Sequence, residues 1–129
     1  MSFRVETRTV DGTTIANGVA GPHTLVVGTG EAGLNGGQLL HLAVGACVSN
    51  DLFREAALRG ITLTRVAVTV DGGFAGAPAV SSGISYAVEV DGDAGDAELR
   101  ALVAHVDAIA EIPNSLRGGT PVRLVTGLG

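Results

Sequence analysis

Hydrophobic and polar residues alternate along the first part of the chain in a way that is typical of short β-strands. The residues from Phe3 onward keep a period of two, and the pair Asp11-Gly12 is a frequent hairpin turn. Asn17-Gly18 predicts a second turn, and a glycine-rich connection follows over residues 28–37. We therefore expect three strands, over residues 3–10, 13–17 and 22–27.

The longest helical pattern covers residues 38–59. Its first half has little polar interruption before Ser49, which predicts a segment buried nearly all round. Charged residues appear from Asp51 onward, so the second half is expected to emerge towards solvent. Gly60 is well placed to end the helix, because glycine readily adopts the left-handed conformation found after a last helical turn.

Strands and a second helix are expected in the remaining chain. Residues 61–70 change the parity of their apolar positions, which predicts a strand with a bulge near Thr64–Arg65. Residues 71–83 are expected to form a loop. Apolar and polar residues alternate over residues 84–90, which predicts a half-buried strand. An amphipathic helix is expected next, with its N-cap at Asp96 and its end at Pro113. Residues 120–126 are expected to form a last strand. The order of elements indicates an α+β fold in a single domain, residues 1–129.

Composition narrows the function classes. The chain has 129 residues, a mean hydropathy of +0.40 and 16% charged residues, below the roughly 25% of an average soluble domain. We therefore expect part of its apolar surface to meet another subunit. The net charge is −5 and the basic residues are scattered, so no nucleic-acid partner is expected. No apolar run is long enough for a membrane span, and the N-terminus lacks a signal core, which favours the cytoplasm.

Residues 28–33 match the pattern G-x-G-x-x-G that cradles a pyrophosphate in dinucleotide-binding folds. In that motif the helix opens within the glycines, whereas here residues 34–37 delay it. Too few strands remain for a doubly wound sheet, and Asp71 lies far downstream for a ribose-binding acid. We interpret the segment as a flexible loop and expect no cofactor.

The histidines and acidic residues do not have the spacing of a metal site. His23, His41 and His105 are far apart in sequence and are interpreted as structural or solvent-facing. The acidic turn over residues 91–98 lacks the spacing of a calcium loop and is interpreted as a solvated turn and helix cap. No metal is expected.

Cys47 is the remaining reactive candidate. A cysteine in an apolar helix is most often a small buried hydrophobic residue. Arg54, two turns on, would favour a thiolate, whereas Asp51, one turn on, would disfavour it. These local charges leave both interpretations open.

The segment around this cysteine resembles a known family. Asn35-Gly36-Gly37-Gln38-Leu39-Leu40-His41-Leu42-Ala43-Val44-Gly45-Ala46-Cys47 is similar to the helix entry N-P-E-x-L-L-x-A-x-x-x-C of the OsmC/Ohr superfamily, the osmotically induced and organic-hydroperoxide-resistance proteins. Four later segments also fit the family: residues 51–61, the Val-rich strand up to Asp71-Gly72, residues 84–90, and Ile112-Pro113-Asn114-Ser115-Leu116. The resemblance therefore covers essentially the whole chain.

The resemblance implies an α+β fold with antiparallel sheets, a long buried helix that carries the cysteine, and an intertwined homodimer. It also implies thiol-dependent reduction of organic hydroperoxides, with Cys47 as the attacking cysteine. In the family's peroxidases an Arg holds the thiolate and a Glu orients the Arg; Arg8, on the first strand, is the candidate thiolate partner here.

This chain departs from the family pattern at two further positions. Ile112 stands where the resolving cysteine is expected, and Gly37 stands where the helix-entry Glu is expected. One hypothesis is therefore a one-cysteine peroxidase whose oxidised Cys47 is resolved by an external thiol. The alternatives are a non-peroxidatic dimer that binds a small apolar ligand at the subunit interface, and a redox sensor that uses Cys47.

Overall fold

In a computed structural model, which describes residues 1–127, three short strands near the N-terminus form an antiparallel sheet. Their order in the sheet follows the chain. The strands are β1 (Glu6–Thr9), β2 (Ala16–Ala20) and β3 (His23–Val27). All three expected strands therefore exist, but the first is shorter than predicted and the second begins three residues later.

The first hairpin turn was predicted correctly and the second was not. Gly12 has a φ of +77°, as a turn at Asp11-Gly12 requires. Asn17 and Gly18 lie inside β2, where Asn17 is paired with Arg8 on one side and Val26 on the other. The second turn is at Gly21-Pro22 instead, because strand pairing on both edges of β2 outweighs the local turn preference of Asn17-Gly18.

Residues 1–40 form one compact unit and the described residues from His41 onward form a second, and each is described by itself. Helix α1 (Gly36–Leu58) begins at the end of the first unit. There Asn35 and Gln38 form a reciprocal capping box. The Gln38 N–H donates to Asn35 Oδ1 at 2.8 Å, and the Asn35 N–H donates to Gln38 Oε1 at 3.0 Å.

Helix α1 ends as the sequence predicts, but its burial differs. Gly60 has a φ of +70°, and the N–H of Ile61 donates to the carbonyl of Ala56 at 2.9 Å, which closes a Schellman motif. The helix is not buried all round in its first half, since Leu42 is 55% exposed, and buried positions continue through its second half. One face of the helix is buried along its length: Val44, Val48, Asp51, Leu52 and Ala56.

The second unit contains one long hairpin, β4 (Leu63–Ala75) and β5 (Val80–Gly92). The predicted bulge is confirmed by a register shift between Leu63 and Arg65. The prediction of a loop over residues 71–83 is wrong, because β4 and β5 both extend into this segment and only residues 76–79 form the turn. Small residues permit this extension, since an added Cβ at Gly72 would lie 2.3 Å from His41 Nε2.

Two helices follow the hairpin, α2 (Asp96–Ile109) and α3 (Glu111–Gly118). The N-cap of α2 is Gly95, so Asp96 is its first residue and not the cap that the sequence predicted. Pro113 does not end α2. It lies in the first turn of α3, where a missing N–H breaks no hydrogen bond of the helix.

Residues 120–126 do not form the predicted strand within the described chain. Their apolar side chains are exposed, with Val122 at 91% and Leu124 at 82%. A strand needs a neighbouring strand for its backbone hydrogen bonds, and this segment pairs with none in residues 1–127.

The core of the second unit lies where α1, α2 and the hairpin meet. Leu52, Leu102 and Val106 are fully buried. Apolar side chains of both strands pack against this cluster, including Val66, Val68, Val88 and Val90. The architecture is therefore α+β with antiparallel sheets, as the sequence predicts.

Candidate functional site

Cys47 lies in the middle of α1, at the border of the buried face. Its side chain is partly exposed and packs against the core cluster of the second unit. Val44, one turn before it, and Val48, the next residue, are 2% and 1% exposed. The sulfur is therefore neither sealed inside the core nor fully open to solvent.

A charged cluster follows Cys47 along the helix. Arg54 Nη1 lies 3.0 Å from Asp51 Oδ1, and Arg54 Nε lies 3.3 Å from Glu55 Oε2. His105, on α2, shares a hydrogen bond of 2.7 Å with Glu55 Oε1 through its Nε2. The cluster therefore links the helix that carries the thiol to its neighbour α2.

These contacts keep Glu55 and Arg54 ionised. The hydrogen bond with His105, followed by that with Arg54, lowers the pKa of Glu55 below its ordinary value of 4.5 in spite of desolvation. The hydrogen bond to Glu55, followed by the charge of Asp51, raises the pKa of Arg54. Asp51 is only 5% exposed, and its Oδ2 accepts no hydrogen bond from residues 1–127.

An apolar cavity of about 210 Å³ lies in the second unit, one helical turn from Cys47. Val44 contributes the α1 side of its lining, the hairpin contributes a second side and α3 a third. The lining residues are Val44, Ser81, Gly83, Ile84, Tyr86, Pro113, Leu116 and Arg117. A small organic molecule would meet mostly hydrocarbon there.

Tyr86 and Arg117 are polar residues of the cavity lining, together with Ser81, and Asp107 connects Tyr86 to Arg117. The Tyr86 hydroxyl donates to Asp107 Oδ1, and Arg117 Nη2 lies 2.6 Å from the same oxygen. Burial, and then the hydrogen bond to Asp107, raises the pKa of Tyr86 to about 12. The tyrosine therefore stays protonated and holds α2 and the cavity wall together.

The other residues named from the sequence are described by the elements that carry them. Arg8 is on β1 in the first unit, where it forms an ion pair with Glu6 and its side chain is 79% exposed. Gly37 is in the first turn of α1. Ile112 is in the first turn of α3, directly before the cavity residue Pro113, and is 37% exposed.

The glycine-rich segment and His41 have local structural roles. Residues 30–32 form one 3₁₀ turn and α1 begins only at Gly36, so no helix opens within the glycine motif. His41 meets Phe74 edge to face, at 6.1 Å between ring centroids.

Within residues 1–127, no three His, Cys, Asp or Glu side chains are arranged to hold a metal ion. No helix of the same residues is long and apolar enough to cross a membrane.

Comparison with known proteins identifies the family. The model of the family described as OsmC-like protein matches residues 28–125. The chain belongs to the OsmC-like family. No protein with curated function matches its sequence.

Solved structures of OsmC-like proteins share the fold. An OsmC-like protein from Mycoplasma pneumoniae superimposes with a TM-score of 0.80 at 13% identity, covering 92% of this chain and 89% of the other. An organic hydroperoxide resistance protein OsmC from Legionella pneumophila gives 0.59 at 19% identity, with 92% and 90% covered. OhrB, the organic hydroperoxide resistance protein of Bacillus subtilis, gives 0.57 at 16% identity, with 92% of each chain covered.

The structure identifies candidate site residues of this OsmC-like chain that the sequence alone does not reveal. In the sequence, Asp51 and Arg54 are evident only as charges near the thiol, and no pattern predicts the contact between Glu55 and His105. A signal was present, because Glu55 is two helical turns after Cys47 on the same face of a largely apolar helix. The cavity gave no signal, since its lining comes from separate parts of the chain.

Proposed function

We propose that this OsmC-like protein reduces organic hydroperoxides with Cys47 as the attacking thiol and an external thiol as the reductant. The observation that carries the proposal is the position of the sulfur. Cys47 is partly exposed, and Val44, one turn before it, lines an apolar cavity. The cavity suits the organic part of a hydroperoxide. Neighbours named organic hydroperoxide resistance proteins share the fold and support the same chemistry.

The proposed reaction oxidises the sulfur once per turnover. The Cys47 thiolate attacks the terminal oxygen of R–O–OH, the O–O bond breaks, and its electron pair leaves with the alkoxide. The alkoxide takes a proton from water and becomes an alcohol. Cys47 is left as a sulfenic acid that still carries the terminal oxygen and its hydrogen.

A thiol from outside the chain is needed to complete the cycle. Cys47 is the single cysteine of the sequence, and Ile112 occupies the position of the resolving cysteine. An external thiol condenses with the sulfenic acid to a mixed disulfide and releases water, and a second external thiol restores Cys47. The partner class is therefore a small thiol or a thiol protein.

The test is thiol-dependent turnover of an organic hydroperoxide. We expect the wild-type protein to consume cumene hydroperoxide with dithiothreitol, and Cys47→Ser to lose this activity. Mass spectrometry after a thiol-trapping reagent should detect sulfenic acid on Cys47. A thiol that never forms an adduct would reject both the enzyme and the sensor; an adduct without turnover would favour the sensor.

We further propose that the protein works as a homodimer. Apolar side chains are exposed in each unit, among them Val19 and Leu25 on the first sheet and Leu42 and Phe53 on α1. Apolar side chains exposed within one sheet or along one helix can be covered by a second copy of the chain. The low fraction of charged residues favours the same arrangement.

Binding of a small apolar ligand is the second candidate function, and the cavity favours it. A carrier needs the apolar lining but not the thiol. If this candidate is correct, Cys47→Ser should bind a fluorescent apolar probe as tightly as the wild type, and neither protein should consume hydroperoxide. Val44→Trp, which fills the cavity, should abolish probe binding.

A further inference from the structure

Asp51 is a buried acid near Cys47, and one of its carboxylate oxygens has no hydrogen-bond partner within residues 1–127. It follows the cysteine by four positions on α1, so the two side chains are neighbours on one face of the helix. Side chains of a helix lean towards its N-terminus, and that direction carries the Asp51 carboxylate towards the turn of Cys47. The helical backbone therefore places the acid one turn from the thiol and on the same face.

The two oxygens of Asp51 differ in their surroundings. Oδ1 is 3.0 Å from Arg54 Nη1. Oδ2 is buried and accepts no hydrogen bond from any residue in the described range 1–127. Folded proteins keep few buried polar atoms without a partner, and a carboxylate oxygen is a strong acceptor. An O–H group that enters beside Cys47 would satisfy it.

We propose that Asp51 accepts the terminal O–H of the hydroperoxide through Oδ2 and thereby presents the terminal oxygen to the sulfur of Cys47. Arg54 is a positioning residue that holds the carboxylate through Oδ1, and Glu55 holds Arg54 in turn. This assignment rests on the proposed function. It needs no further reactant, because the O–H bond stays intact and passes from the hydroperoxide to the sulfenic acid.

The substitution Asp51→Asn tests the acceptor directly. Arg54 donates at the Oδ1 position, so the amide oxygen of the substituted side chain will face Arg54 and its NH₂ group will replace Oδ2. A donor then stands where the hydroperoxide needs an acceptor. Volume is conserved, and the negative charge beside the thiol is removed.

The rates of two reactions of Cys47, oxidation and alkylation, separate the possible effects of this substitution. Oxidation by cumene hydroperoxide needs the acceptor, whereas alkylation by iodoacetamide reports only the thiolate and its accessibility. We expect Asp51→Asn to slow oxidation by about 10- to 100-fold, the order expected for the loss of one hydrogen bond to a charged group, and to leave alkylation within about threefold. Glu98→Gln, which neutralises an exposed carboxylate on α2, should change neither rate.

Other outcomes overturn the assignment. If both rates rise, Asp51 acts only by repelling the thiolate. If oxidation keeps its rate while the protein is destabilised, the carboxylate is structural. Asp51→Ser replaces the test if the Asn variant does not fold, with the same expected split. A wild-type protein that is alkylated but not oxidised would instead reject the proposed function itself.

Discussion

Gly72 shows at the scale of one residue how closely α1 approaches the hairpin. A Cβ at this position would lie 2.3 Å from His41 Nε2 and 2.8 Å from the carbonyl oxygen of Gly83. The second contact is with backbone, so a side-chain rotation alone cannot relieve it. The absence of a side chain at Gly72 is therefore a requirement for packing rather than for turn formation.

Gly72→Ala should accordingly destabilise the protein. We expect a loss of about 1–3 kcal/mol in the free energy of unfolding, the usual cost of forcing atoms into a filled space. Gly73→Ala is the matched control, because its Cβ would meet only Ser82 Oγ at 3.5 Å. Urea denaturation of the three proteins measures the difference; equal midpoints for the two variants would contradict the packing argument.

Leu102 gives a second prediction at this scale. It is 0% exposed and belongs to the core cluster that Cys47 contacts. Leu102→Ala should cost about 2–5 kcal/mol, because the transfer free energy is lost and a cavity remains. Leu58→Ala, at 78% exposure, is the control and should cost far less. Thermal unfolding followed by circular dichroism would detect the difference.

The start of α1 depends on local hydrogen bonds at the scale of the element. Asn35 and Gln38 satisfy two backbone N–H groups that have no partner within the helix. Gln38 therefore has a structural function as a cap, and it does not take over the charge of the family's helix-entry Glu. The neutral cap leaves Asp51 and Glu55 as the acidic residues of this helix.

Asn35→Ala should remove this cap. The expected cost is about 0.5–2 kcal/mol in the free energy of unfolding. Asn50→Ala is a suitable control, because Asn50 is exposed in the interior of the same helix, where alanine is favourable. If the two variants unfolded at the same urea concentration, the capping box would not contribute to stability.

The contact between Glu55 on α1 and His105 on α2 should make the free energy of unfolding depend on pH. The pKa of Glu55 is lowered in the folded protein, chiefly by His105, so the unfolded chain binds a proton more readily. The contribution of this carboxylate is complete above its unfolded value, near 4.5, and is lost as the pH falls through the lower folded pKa.

Glu55→Gln should therefore be less stable than the wild type at pH 7, and the two should converge as the pH falls below about 4.5. Unfolding midpoints measured from pH 7 to pH 3 provide the comparison. Glu98→Gln should follow the wild type across the whole range. A Glu55→Gln curve that ran parallel to the wild type down to pH 3 would show that the ion pair does not contribute.

At the scale of the whole molecule, we expect the exposed apolar segment at residues 120–126 to form part of a dimer interface. Val122 and Leu124 alternate with Arg123, as on one face of a strand that still needs a neighbour. A second copy of the chain can provide both the backbone partner and the apolar contact.

Light scattering should therefore give twice the chain mass of 12.8 kDa for the wild type. The double substitution Val122→Asp and Leu124→Asp should shift the protein towards the single-chain mass, because two charges would enter an apolar interface. Arg123→Ser, on the opposite face, should remain dimeric. A wild-type mass of one chain at micromolar concentration would reject the dimer.

Local pattern was sufficient for some features and insufficient for others. The capped helix that carries Cys47, the alternating strand through Tyr86 and the bulge near Arg65 all follow from periodicity and from end signals within a few residues. The family resemblance also depends on these local features, since it follows the spacing of the helix entry and the order of the elements.

Tertiary structure decided the features that join distant parts of the chain. The hairpin extends through residues 71–75 because its small residues meet α1 and the opposite strand, and Pro113 begins a turn of helix rather than ending one. The pairing of Glu55 with His105 and the cavity beside Val44 combine residues that are far apart in sequence. Sequence periodicity reports which face of an element is apolar, but only packing determines what that face meets.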